Sequence, residues 1–294
     1  MRQQAGSTFL IKKHMKNLRL NLTLLCLSAL ICTQSAFAIS DREQSIRDSG
    51  ILRVCIWPDY YSISYKNHKT GQLEGIDISL SLEFAKDLGV KVKYISTHFG
   101  VFMQDIQEDH CDIAMFGVGI TASRAKNIDY SEPYLSSSMY GVTSKTNPIL
   151  ASWEEIDQLG VVVTVQKGTY MENAMRSSLK KAELTTVTHS NQREMEVRSG
   201  RADVFISDYP YGQKMLQVYD WARLLTPQQA TEQIEYAYAI KKGQPQWLAR
   251  INTFVQAIKA DGRLKQAAQK NNLLPIALIQ PQPQQSQLKP NSIN

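Results

Sequence analysis

From residue 51 onward, short apolar runs alternate with segments whose apolar residues recur at helical spacing. Three of these runs have the length and composition of β-strands: 51–56, 90–94 and 111–116. Residues 75–88 place apolar side chains on one helical face, and Gly89 is a stop signal for that helix. Strands that alternate with helices predict a largely parallel sheet covered by helices on both faces, which is an α/β fold.

The same alternation begins again after Pro148. Strands are predicted at 161–165, 202–206 and 236–240, and a helix is predicted from Gly168 to about Ala182. A last helix carries an apolar stripe that is typical of core packing: Trp247, Ile251, Phe254 and Ile258. The chain therefore contains two α/β sets in tandem. The Pro- and Gln-rich residues 275–294 lack periodicity and predict a disordered tail.

The first 38 residues have the order of a secretory signal peptide. A basic segment without acidic residues precedes a short apolar run, and Ala36-Phe37-Ala38 follows as a cleavage site. We expect cleavage after Ala38 and release into the periplasm. Met15 opens a more ordinary signal sequence than Met1 does, so both starts stay open. The apolar run is too short for a membrane span.

Removal of this segment changes the charge of the protein. The whole chain has 33 basic and 27 acidic residues, but residues 1–38 hold five of the basic ones and no acidic one. The mature chain is then close to neutral, which removes the argument for nucleic-acid binding.

Two cysteines, Cys55 and Cys111, remain after processing. An exported protein can form a disulfide, but both residues lie at or beside apolar strands, and this position favours two buried free thiols. The five histidines show no metal-ligand spacing, and no Gly-rich phosphate loop or G-x-S-x-G elbow is present. We therefore expect no metal and no cofactor.

Residues suited to ligand binding follow four of the predicted strands. Open α/β sheets bind ligands beyond the carboxyl ends of their strands. The candidates at these ends are Trp57 and Tyr60, then Phe116, Gly117, Gly119 and Arg124, then Thr169, and finally Asp208.

Together these residues match the groups of a zwitterion. Arg124 can hold a carboxylate with two parallel hydrogen bonds, and Asp208 can hold an ammonium group. Thr169 begins a helix whose free N–H groups favour an anion. The aromatic residues provide walls, and Gly117 allows close approach to the backbone. The sequence therefore predicts a site for an amino acid or a related molecule.

Each residue also has a structural explanation that involves no ligand. Arg124 could pair with Asp129 at the surface, and Asp208 could be a turn or cap residue. Thr169 and Glu172 match a T-x-x-E capping box. The set is more persuasive than its members because all of them fall at strand ends.

The motif Gly119-x-Thr121-x-x-Arg124, followed by Asp129-Tyr130-Ser131-Glu132-Pro133-Tyr134, resembles a signature of the family 3 periplasmic solute-binding proteins, the amino-acid receptors of ABC importers. Further segments that match the family are residues 73–78, 165–172 and 201–208. The resemblance as a whole covers about residues 48–272.

The resemblance implies a two-lobed periplasmic binding protein type II fold with a ligand cleft and two hinge crossings, near 135–140 and 232–238. Lobe 1 would comprise 39–138 and 236–274, and lobe 2 would comprise 139–235.

The resemblance also implies the roles of the site residues and the partners. Arg124 and Thr169 would bind the ligand carboxylate, Asp208 the α-amino group, and Tyr60 would line the side-chain pocket. The implied partners are an amino acid and an ABC permease in the inner membrane. We expect a monomer.

Several positions depart from the family pattern and make the pocket more aromatic and less polar. Trp57 replaces an acidic or small residue, Phe116 a small polar one, and Gly119 a serine. These changes favour an uncharged or aromatic amino acid as ligand.

The chain also resembles periplasmic cyclohexadienyl dehydratases, in which case Glu172 would be the general acid. That enzyme is the alternative function. A sensory or enzyme-linked module of the same fold is a weaker third possibility.

Overall fold

A computed structural model of the chain describes residues 41–228 and 233–279. The predicted signal peptide and residues 280–294 of the predicted tail lie outside the described residues.

The helices and strands alternate along the described chain much as the hydrophobic pattern predicts. The helices are α1 (Asp41–Ser49), α2 (Ile76–Leu88), α3 (Phe102–Gln107), α4 (Ala122–Ala125), α5 (Tyr170–Ser178), α6 (Ser190–Arg198), α7 (Tyr209–Val218), α8 (Pro245–Ala260) and α9 (Arg263–Lys270). The strands are β1 (Ile51–Ile56), β2 (Asp59–Tyr60), β3 (Ser64–Lys66), β4 (Leu73–Glu74), β5 (Lys91–Ser96), β6 (Ile113–Gly119), β7 (Ile128–Tyr130), β8 (Leu135–Ser137), β9 (Met139–Ser144), β10 (Val162–Gln166), β11 (Glu183–Val187), β12 (Val204–Asp208), β13 (Ala222–Leu225) and β14 (Ile234–Lys241).

The strands form two larger mixed sheets and one small antiparallel sheet. The first sheet has the order β5-β1-β6-β14-β7, with β8 paired to β14, and its parallel strands are β5, β1 and β6. The second sheet has the order β11-β10-β12-β9-β13, and its parallel strands are β11, β10 and β12. Strands β2, β3 and β4 form the small sheet. Each larger sheet thus has a parallel part extended by antiparallel strands.

The chain passes between the two larger sheets twice. Strand β8 belongs to the first sheet and β9 to the second, so the first passage falls at Ser138. The return passage lies between β13 and β14. The lobe boundaries at 138/139 and 235/236 remain a prediction.

Burial explains why the central strands and the last long helix form where they do. All seven residues of β6 and all five of β12 are buried, as expected for strands covered on both faces. The apolar stripe predicted for α8 is confirmed as core: Trp247, Ile251, Phe254 and Ile258 are at most 1% exposed. Gly89 ends α2 in the left-handed conformation that the stop signal requires.

Two predicted boundaries differ from the structure. Helix α5 ends at Ser178 rather than near Ala182, because Leu179 is already extended and leads towards β11, a strand that the sequence pattern did not predict. Residues 275–279 belong to the ordered structure rather than to a tail. Ile276 is buried, and the Leu278 N–H donates a hydrogen bond to the Tyr134 carbonyl.

The prediction of two free thiols is wrong, because Cys55 and Cys111 form a disulfide. Strands β1 and β6 are parallel neighbours, with Val54 paired to Ile113. Cys55 directly follows Val54, and Cys111 lies two residues before Ile113, so this register brings the two cysteines close together. The Cα atoms of the two cysteines are 5.6 Å apart, a usual separation for a disulfide. The bond fastens two strands whose carboxyl ends carry candidate site residues.

Replacing both cysteines by alanine should destabilise the protein by about 4 kcal/mol, because the disulfide closes a loop of 56 residues in the unfolded chain. Urea unfolding of the wild type and of Cys55→Ala/Cys111→Ala, each with and without reductant, measures this. Reductant should weaken the wild type and leave the double variant unchanged. Equal stability of the two proteins would contradict the prediction.

Candidate functional site

Carboxyl ends of parallel strands from both sheets lie around a narrow cavity whose volume is about 20 Å³. Its lining combines an aromatic wall from one side with a mixed wall from the second sheet and its helices: Trp57, Tyr60, Phe99, Gln166, Thr169, Tyr170, Met171, Arg193, Ser207, Asp208 and Tyr211. Four of the eight ligand-binding residues predicted from the sequence line it, namely Trp57, Tyr60, Thr169 and Asp208.

Asp208 is a buried carboxylate on which groups from both sheets converge. Its side chain is the N-cap of α7 and accepts a hydrogen bond from the Tyr211 N–H at 3.3 Å. Its Oδ2 also accepts hydrogen bonds from the hydroxyls of Tyr60 and Tyr236, the latter at 2.7 Å. Asp208 is therefore both a helix cap, as its structural explanation required, and a charge in the cavity wall.

The two tyrosines are held in their protonated form. Burial, followed by the negative charge of Asp208, raises the pKa of the Tyr60 hydroxyl well above its ordinary value of 10.0. The same two causes raise the pKa of Tyr236. Both hydroxyls thus remain donors at neutral pH.

Arg124 lies behind Phe99, outside the cavity lining, and does not pair with Asp129. Its guanidinium donates to the carbonyl of Gly119 and, from Nη2, to the carbonyl of Gly168, both at 2.9 Å. The guanidinium carbon lies 5.4 Å from the ring centre of Phe99, which lines the cavity. Only 5% of Arg124 is exposed, and burial lowers the pKa of its guanidinium.

The aromatic wall consists of three rings in mutual contact. Trp57, Tyr60 and Phe99 have ring centres 5.4–5.9 Å apart. Phe116 is fully buried behind this wall, where it packs against Phe99 at 5.1 Å. Phe116 thus supports the pocket instead of lining it, and Phe99 takes the position that the sequence had suggested for Phe116.

Gly117 and Gly119 leave room for the side chains around them. Gly117 has a φ of +62°, and a Cβ there would lie 3.1 Å from the Tyr60 ring. At Gly119 a Cβ would lie 3.2 Å from the Tyr170 ring and 2.9 Å from Ile234. Both glycines therefore allow rings to approach the backbone at this edge of the first sheet.

Asp77 fixes the end of strand β6 that contains Gly117. This fully buried carboxylate accepts hydrogen bonds from the Gly117 N–H at 2.8 Å and the Tyr134 hydroxyl at 2.6 Å. Burial raises the pKa of Asp77 to about 7, although both hydrogen bonds act in the opposite direction.

The capping box predicted for Thr169 and Glu172 does not form. The Thr169 hydroxyl donates to the Gln166 carbonyl at 2.7 Å and does not cap the helix. Glu172 accepts from the Gly168 N–H at 2.8 Å and pairs with Arg176 at 3.1 Å. Thr169 lines the cavity, whereas Glu172 does not.

Sequence reasoning missed several residues of the site. Phe99 follows β5, so the strand-end rule could have identified it. Tyr236 lies in the strand that returns to the first sheet, and Arg193 lies within a helix, where no local pattern distinguishes it from a surface residue.

In the described residues no group of His, Cys, Asp and Glu side chains is arranged to hold a metal ion. Among those same residues, no helix is both long and apolar enough to cross a membrane.

The chain belongs to the bacterial extracellular solute-binding proteins, family 3, whose family model matches residues 52–272. This assignment confirms the resemblance carried by the arginine motif and the expected type II periplasmic binding protein fold.

Both enzymes and binding proteins occur among its relatives. A cyclohexadienyl dehydratase of Pseudomonas aeruginosa is 30% identical over 76% of this chain and 86% of its own length. The L-cystine-binding protein TcyJ of Escherichia coli is 23% identical over 82% of this chain and 91% of its own. The crystal structure of the ancestral amino acid-binding protein AncCDT-1, described as a precursor of cyclohexadienyl dehydratase, has a TM-score of 0.71 and 32% identity, covering 78% of this chain and 98% of that one.

Asp77 should make the stability of the protein depend on pH. Between about pH 4 and pH 7 the folded protein keeps a proton that the unfolded chain releases, so stability falls as the pH rises through this window, by up to about 4 kcal/mol. Urea unfolding at several pH values, compared with Asp77→Asn, isolates this contribution. The variant should lack that part of the slope, and identical slopes would contradict the assignment.

Proposed function

We propose that this protein is the periplasmic substrate-binding protein of an ABC importer and binds an amino acid in the cavity. The observation that carries the proposal is the pair of opposite buried charges, Arg124 and Asp208, which are 5% and 1% exposed. Arg124 is suited to the ligand carboxylate and Asp208 to its ammonium group. The family and the predicted signal peptide support a permease as partner and a periplasmic location.

The aromatic wall supports an uncharged or aromatic ligand. Trp57, Tyr60 and Phe99 offer apolar surface and ring faces rather than a counter-ion for a charged side chain. A clear preference for arginine or glutamate in a binding assay would contradict this part of the proposal.

Cyclohexadienyl dehydratase is the second candidate, favoured by the 30% identical relative and the ancestral precursor. A general acid must carry a proton and reach the substrate. Glu172 instead accepts from a backbone N–H, pairs with Arg176 and lies outside the cavity lining. These contacts favour binding without catalysis.

Arg124→Ala and Asp208→Ala should each weaken amino-acid binding by about 2–5 kcal/mol, because each leaves a ligand charge buried without its partner. Calorimetric titration with the amino acid that gives the largest thermal shift measures the loss. Arg176→Ala, which alters an exposed arginine outside the cavity lining, is the matched control and should bind normally. Unchanged affinity in Arg124→Ala would refute the site.

Glu172→Gln separates the two candidate functions. The variant should retain amino-acid affinity, since the two oxygens of Glu172 contact the Gly168 N–H and Arg176. The assay incubates wild type and variant with prephenate and arogenate and follows the aromatic products. Under our proposal neither protein forms product; turnover by the wild type that the variant loses would establish the dehydratase.

A further inference from the structure

The wall of the cavity contributed by the second sheet differs in chemistry from the aromatic wall. Gln166 ends β10, Ser207 lies in β12, and Arg193 lies in α6, and all three line the cavity. They are 2%, 1% and 3% exposed. Polar side chains buried to this degree are normally held by specific partners, so the partners of each group indicate what this wall can bind.

Gln166 has one half of its amide satisfied and the other half unsatisfied. Its Nε2 donates to the Thr188 carbonyl at 3.4 Å, which assigns the orientation of the amide. Its Oε1 is buried and has no hydrogen-bond partner among the described residues. A buried acceptor without a donor costs about 1–3 kcal/mol. A ligand that brings a hydrogen-bond donor to Oε1 would remove this cost.

Arg193 lies on the same wall and is held there by contacts within the protein. Its guanidinium lies 4.4 Å from the ring centre of Tyr211 and 5.3 Å from that of Phe205. Its Nη1 donates to the Ile206 carbonyl at 3.3 Å. These contacts fix a positive charge beside Gln166 in the wall.

The charges behind this wall are balanced by neighbouring carboxylates. The Tyr211 hydroxyl donates to Glu194, and the charges of Glu194 and Arg193 act on Tyr211 in opposite directions. Lys214, which also packs on the Tyr211 ring, interacts with both Glu194 and Asp59. Apart from Asp208, which is assigned to the ammonium group, the charges at this wall have neighbours of opposite sign, which disfavours a ligand side chain that is itself charged.

We propose that Gln166 forms a subsite for the end of the ligand side chain, and that this end is an uncharged group that donates a hydrogen bond to Oε1, such as a carboxamide. This inference rests on the proposed amino-acid-binding function. It narrows the ligand class from uncharged or aromatic side chains to polar uncharged ones, with the aromatic wall packing against the methylene groups between the two ends.

The test compares three ligands of similar length: L-glutamine, L-glutamate and L-methionine. Calorimetric titration of the wild type should give at least tenfold tighter binding of glutamine than of the other two. Gln166→Met, which keeps the length and removes the acceptor, should weaken glutamine binding at least tenfold and change methionine binding less than twofold. Gln266→Met alters an exposed glutamine of α9 and is the matched control, which should keep the wild-type preference.

If Gln166→Met does not fold, the ligand preference of the wild type alone still tests the subsite. Equal affinity for glutamine and methionine, or a preference for glutamate, would overturn the subsite while amino-acid binding stands. The subsite would also be overturned if Gln166→Met weakened the binding of all three ligands by the same factor. If none of the twenty amino acids binds the wild type, the proposed function itself fails, and this outcome is distinct from the others.

Discussion

The need to satisfy one buried carboxylate, that of Asp208, organises the site. A charge removed from water is tolerated only when it is paired or hydrogen-bonded. Asp208 lies at the end of a strand of the second sheet, and two of its donors, Tyr60 and Tyr236, come from the small sheet and the first sheet. The hydrogen bonds of a single side chain thus connect elements that are far apart in sequence. The aromatic wall depends on this arrangement because Tyr60 is one of its members.

The present hydrogen-bond acceptors of Arg124 can be replaced by a ligand carboxylate. Its guanidinium donates to two backbone carbonyls, those of Gly119 and Gly168. Hydrogen bonds between two charged groups are stronger than those to a neutral acceptor. A ligand carboxylate can therefore compete for the guanidinium, whereas a protein carboxylate in the same place would have blocked it. Burial of Arg124 against Phe99 and Phe102 increases this difference, since the low dielectric strengthens a charge pair.

The sequence predicted the parts of the structure that depend on local pattern. Buried strands such as β6 and β12 have continuous apolar runs, and the strand-end rule then identified Arg124 and Asp208 as candidates for one site. It could not predict the disulfide, which depends on the register of β1 beside β6 and hence on the folded sheet. Strand β11 was not predicted because apolar and polar residues alternate only weakly in it and its residues are exposed or half-buried. Arg193 was not predicted as a site residue because a charged residue in a short polar helix normally lies at the surface.

The relatives of this chain include both binding proteins and an enzyme, and Glu172 is the carboxylate on which the two candidate functions differ. Glu172 occupies the first turn of α5, where it accepts a hydrogen bond from the Gly168 N–H. Arg176, one turn later, adds a positive charge on the other oxygen. Conversion to a proton donor would require removal of these contacts and rotation of the side chain into an apolar pocket. In the arrangement described, the carboxylate stabilises the start of the helix that carries Tyr170, and so it supports the site.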